Sequence, residues 1–113
     1  MRILTGIFLS ALAFNAVHAE GRPAGCPSMW CGCYLRHQLG IEDPAFNLAS
    51  RWASYGSRAN RPGVGEIYII PHHVGRITGY EGGQWICTDG NWRNTIHTGP
   101  CNLRGTYAYR NPY

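Results

Sequence analysis

An α+β domain is the fold class this sequence predicts, with helices in its N-terminal half packed on one face of a small antiparallel sheet. Three observations lead there. Helix-type apolar spacing is confined to residues 31–56, short β-rich runs are confined to 66–110, and glycine, proline and asparagine punctuate the interval between one run and the next.

The elements follow in chain order. Arg2 precedes an apolar run, Ile3 to Val17, that ends in small residues at Val17-His18-Ala19, which is the pattern of a secretory signal peptide cleaved after Ala19. The run is shorter than the roughly 18 to 20 apolar residues of a membrane-spanning helix, so no stable membrane insertion is expected after its removal. A lipoprotein signal ending at Cys26 is the competing reading. It lacks the expected leucine, and the polar stretch His18 to Arg22 separates Cys26 from the apolar run. Residues 20–29 are rich in glycine and proline and read as an irregular arm, and residues 30–113 as a single domain.

Within that domain the first helix starts beside Cys31 and stops at Gly40, with Leu35 and Leu39 on one face. The second opens on Asp43-Pro44, an N-cap followed by proline at the first helical position. Phe46, Leu48, Ala49, Trp52 and Ala53 carry it to Tyr55-Gly56. After the turn-rich stretch from Gly56 to Gly65, four strands are expected over Glu66–Ile70, His73–Tyr80, Gln84–Thr88 and Thr106–Arg110. Gly82-Gly83 supplies the positive φ angles of a tight hairpin between the second and third.

Composition narrows the function. Without the leader 94 of the 113 residues remain, with nine arginines, no lysine and six acidic residues, a formal charge of about +3. No arginine run is interleaved with aromatic residues, so nucleic-acid binding has little support, while a basic exported domain is drawn weakly to acidic wall polymer. All five cysteines, Cys26, Cys31, Cys33, Cys87 and Cys101, follow the leader. In an oxidising compartment five thiols make two bridges and one leftover. If Cys31 is the leftover, three connectivities remain, and Cys87 with Cys101 and Cys26 with Cys33 is the first to try.

Cys31 is where chemistry is expected. At a helix start, unpaired N–H groups and the helix dipole favour thiolate over thiol, and the same groups can hold an oxyanion. His72-His73 opens a strand, so only one imidazole should face the thiol, where it can take the proton and return it to a leaving amine. Asn91 is the first choice for a third residue that orients the base and Asp89 the alternative, both in the turn-like stretch Thr88 to Trp92. A zinc site is not expected: adjacent histidines do not easily share one ion, and His37 and His97 lack ligand spacing. Trp30, Tyr68, Trp85 and Trp92 are candidates for a substrate groove, with core packing the alternative for each.

Taken together, Trp30-Cys31-Gly32-Cys33-Tyr34-Leu35 before a helix and His73-Val74-Gly75-Arg76-Ile77-Thr78-Gly79 on a strand resemble the signature of the NlpC-type and CHAP cell-wall cysteine hydrolases. The stretches Arg51 to Gly56 and Pro62 to Ile70 resemble segments lying between those motifs in small secreted members, and Gly90-Asn91 resembles the loop that supplies the third polar residue. The likeness covers roughly residues 30–110. It implies a papain-like fold, with Cys31 as nucleophile and His73, not His72, as base. It also implies hydrolysis of a peptidoglycan amide without metal or organic cofactor. The leader predicts a secreted or periplasmic protein, and a monomer is expected. Two rivals remain: a disulfide-stapled exported binding or inhibitory module with Cys31 bridged, and an inactive member of the same fold.

Overall fold

The computed structural model describes residues 17–19 and 21–113, so the expected leader falls almost entirely outside the described residues. The architecture is α+β and dominated by its sheet. Strands β1 (Val17–Ala19), β2 (Ser57–Ala59), β3 (Ile67–Ile70), β4 (His73–Glu81), β5 (Gln84–Trp92), β6 (Thr95–Pro100) and β7 (Ala108–Asn111) form one antiparallel sheet in the order β1-β6-β5-β4-β3-β7-β2. One α-helix, α1 (Cys31–Leu39), and two 3-10 helices, η1 (Pro44–Asn47) and η2 (Ala49–Ser54), complete it. Among the described residues no helix is long and apolar enough to cross a membrane.

Helix α1 ends as the sequence predicts, on Gly40 in the left-handed conformation (φ 70°). The second predicted helix does not form as one piece. Asp43 does cap it, its Oδ1 accepting from the Ala45 N–H at 2.9 Å, but the chain leaves helical geometry at Leu48 (φ −84°, ψ 123°). Tertiary contacts account for the break. The Phe46 carbonyl accepts the indole N–H of Trp52 at 2.7 Å, and Asn47 is held by the Arg36 guanidinium at 2.7 Å. The backbone carbonyls of Phe46 and Asn47 also close over Gly32, where a β-carbon would strike both. Propensity along 43–56 yields to these fixed partners.

The four predicted strands are present with shifted ends. Three more were missed. Strand β2 lies in the stretch read as turns, β1 in the expected leader, and β6 pairs with β5 across a turn at Arg93-Asn94, both residues with positive φ (51° and 65°). The segment read as a loop, Thr88 to Trp92, is therefore the end of β5, with a register shift between Asp89 and Trp92.

Strand alternation divides the core. Ile67 and Ile69 pack with Val74, Leu35, Ala49, Trp52 and Cys31 on the helical side, while Tyr68 packs with Ile77 and Cys87 on the other. Two disulfides staple the domain, Cys26–Cys33 tying the arm to α1 and Cys87–Cys101 tying β5 to the segment after β6. Cys31 remains a free, buried thiol.

Candidate active site

Two local features bring Cys31 and His73 together. Cys31 is the first residue of α1, preceded by Trp30, whose side chain makes no capping bond to the first-turn N–H groups. His73 is the first residue of β4, delivered by a two-residue turn with Pro71 first and His72 in the left-handed region (φ 67°). That turn sends His72 outward, exposed, and leaves His73 half-buried at the sheet end facing the helix start.

The thiol and the imidazole perturb each other in opposite directions. Burial pushes the Cys31 thiol up, but a hydrogen bond to His73, the charge on that ring and backbone groups of Val74 and Gly32 outweigh it and leave the thiol below its ordinary value of 9.0. Burial pushes His73 down, but its close contacts with Asp89 and Cys31 and their negative charges raise it from 6.5 to about 9. Between those limits the pair is a thiolate beside an imidazolium.

Asp89 is the group behind His73. It is 2% exposed, and its Oδ2 lies 3.3 Å from His73 Nε2. The contact is electrostatic more than a well-aligned hydrogen bond, since Nε2 has no partner in good bonding geometry. The same oxygen accepts the Tyr68 hydroxyl at 2.5 Å, while Oδ1 is buried without a bond. Two glycines make the space. A β-carbon at Gly75 would collide with Asp89 Oδ1 and the Tyr68 ring, and one at Gly90 with the side chain of Tyr34. Gly75 in the histidine motif is thus explained by what stands against it.

Asn91, the first choice for the third residue, is not the group against His73. It occupies the bulge of β5 with φ 58°. The bulge is the reason: regular alternation would put residues 89 and 91 on one face, but Asp89 is paired with His97 inside the ladder and the register shift after it sets Asn91 off that row.

The four groove candidates separate. Trp30 is fully buried against Cys26, Cys33 and Tyr34, with its indole N–H on Asn94 Oδ1 at 3.1 Å, so it anchors the chain just before Cys31 as part of the core. Tyr68 is also fully buried and serves Asp89. Trp85 stacks edge-on to Tyr80 at 4.6 Å near the β4–β5 hairpin, four residues from Asp89 and therefore about 13 Å along the strand. Of the two candidates that are not fully buried, Trp92 is the one beside His73. It meets the His73 ring edge-on at 6.2 Å and stacks on His97 at 4.8 Å.

An open hollow of about 410 Å³ reaches the thiol, lined by Met29, Cys31, Leu48, Ala49, Pro71 and Tyr107 with the polar Asn47, Ser50 and His72. The sequence reading missed this wall because its residues come from four separate segments. Among the described residues the one cluster with metal-ligand geometry is Cys26, Cys33 and His37, and its two sulfurs are joined in a disulfide. No known protein family, curated protein or solved structure matches the chain.

Proposed function

We propose that this protein is an exported cysteine hydrolase that cleaves an amide bond of peptidoglycan, either within the stem peptide or between N-acetylmuramic acid and L-alanine. The observation that carries the chemistry is the row Cys31, His73, Asp89: a free thiol lowered by an imidazole that is itself raised by a buried carboxylate. Supporting the wall substrate and a papain-like arrangement are the order of the cysteine and histidine motifs and their resemblance to the NlpC-type and CHAP hydrolases. Two disulfides and the leader-like N-terminus support an oxidising, exported setting.

In this reading Cys31 Sγ attacks the amide carbonyl carbon. First-turn N–H groups of α1 receive the developing oxyanion, and His73 gives its proton to the leaving amine, generating a thioester. Water then attacks the thioester with His73 as base, releasing the carboxylic acid and restoring the thiolate. Asp89 keeps His73 protonated until the amine leaves, Tyr68 holds Asp89, and Trp92 covers one edge of the ring. A bridged Cys31, the basis of the binding-module alternative, finds no support from a thiol left unpaired beside two completed disulfides.

The test is digestion of purified sacculi by the protein lacking residues 1–19. Soluble muropeptides carrying new amino or carboxyl ends are expected, and none from Cys31→Ala. Intact sacculi with the unmodified protein would refute the reading.

A further inference from the structure

We infer that a groove running from Cys31 along the flank of η2 binds an extended acidic peptide, with an uncharged side chain beside the thiol and a carboxylate against Arg58 and Arg110. This deepens the hydrolase reading and rests on it. The hollow beside Cys31 has no acidic or cationic side chain in its wall apart from His72, and three of the most exposed large apolar residues, Met29 (60%), Leu48 (65%) and Tyr107 (53%), surround it. Apolar side chains left open together around a nucleophile mark a surface that is covered in use.

Tyr107 joins this hollow to a second one of about 450 Å³. The second begins at Ala53, one turn further along η2 than the Ala49 and Ser50 that line the first, and ends between β7 and the edge strand β2. Its character is different. Arg58 and Arg110 are its charged lining residues, and no acidic residue touches it.

Both guanidinium groups lack a carboxylate partner, because His73–Asp89 is the one ion pair among the described residues. Arg110 is fixed in place by neutral acceptors, Nε on the Tyr55 carbonyl at 2.6 Å and Nη2 on the Gly56 carbonyl at 2.9 Å. These bonds position its charge without neutralising it, and donors remain on a group that carries five. Arg58 faces Arg110 across the β2–β7 pairing, so two like charges share one rim. Like charges directly opposite repel, an anion between them relieves that repulsion, and the planar fork suits a carboxylate.

The experiment uses Cys31→Ala protein without residues 1–19, and dye-labelled, C-terminally amidated alanine hexapeptides carrying one glutamate at each position in turn, in L and D series, read by fluorescence anisotropy. One glutamate position is expected to bind about tenfold more tightly than the all-alanine peptide. That gain should vanish in Arg58→Gln and turn into a preference for lysine in Arg58→Glu, both changes being at an exposed edge strand. Equal binding at every position, or a glutamate preference that survives Arg58→Gln, would overturn the inference. Sacculus digestion by the Cys31 protein is scored separately. Digestion without any glutamate preference removes the groove and leaves the hydrolase, and a glutamate preference without digestion removes the hydrolase and leaves an acidic-peptide site.

Discussion

Tyr68 donates its hydroxyl to Asp89 at 2.5 Å across β4, from β3 to β5, although the two residues are 21 positions apart. Both are fully buried or nearly so, and burial together with the nearby carboxylate holds the Tyr68 proton on well above the usual phenol range. Tyr68 is therefore a permanent donor, and Asp89 is aimed at His73 by it.

Tyr68→Phe leaves a buried carboxylate oxygen short of its donor. A loss of about 1–3 kcal/mol in unfolding free energy is expected, measured by urea denaturation, with kcat reduced less than by any change at His73. A variant as stable as the original protein would show that this bond does not hold the aspartate.

Asp89→Asn and Asn91→Ala separate the two candidates for the third residue. The first should lower kcat by about a hundredfold or more, the second by less than about threefold, in keeping with the cost of losing the group that orients a catalytic histidine. The reverse ranking would return the role to Asn91.

The raised His73 gives the pH profile a defined alkaline edge. Rate should fall as pH rises through about 9, where the imidazolium that protonates the leaving amine disappears. On the acid side it should fall as Cys31 takes up its proton, at a pH below the ordinary thiol value. In Asp89→Asn the alkaline edge should move down toward 6.5, the reference for an unassisted histidine.

Stability follows the same histidine. In the unfolded chain it titrates near 6.5 and in the folded protein near 9, so its stabilising contribution is complete below about 6.5 and is lost as pH rises through about 9. The difference in unfolding free energy between the original protein and His73→Gln should therefore shrink between pH 6 and pH 10, by an amount on the order of 3 kcal/mol at most. A gap that widens with pH would contradict the raised imidazolium.

Gly75→Ala places a methyl group on Asp89 and Tyr68 and should cost about 3 kcal/mol or more, whereas Gly79→Ala, whose methyl would meet the Ile86 side chain at 3.6 Å, should cost about 1 kcal/mol or less. Thermal denaturation of the two variants side by side checks the difference.

Much of this site could be read from the chain because its signals are local. Cys31 stands where an irregular arm becomes a helix, His73 follows a proline turn, and five cysteines in an exported chain leave one thiol over. What escaped depends on partners distant in sequence. Asp89-Gly90-Asn91 has the composition of a turn, yet Gly90 is there to admit Tyr34 and Asp89 to meet Tyr68 and His73, so the stretch stays in β5. The real turn, at Arg93-Asn94, lacks glycine and gives no such signal. Likewise Asp43-Pro44 starts a helix correctly, and only the Trp52 indole and Gly32 explain why it breaks at Leu48.

Whether His73 maintains Cys31 as a thiolate is read from the rate at which Cys31 is alkylated. The protein without residues 1–19 is treated with iodoacetamide at pH 6 and digested without reduction, and the labelled cysteine is identified by mass. Fast labelling at Cys31 alone, slowed at least tenfold in His73→Ala, is the predicted result. Cys31 found in a disulfide, or labelled at the same rate with and without His73, would contradict the account.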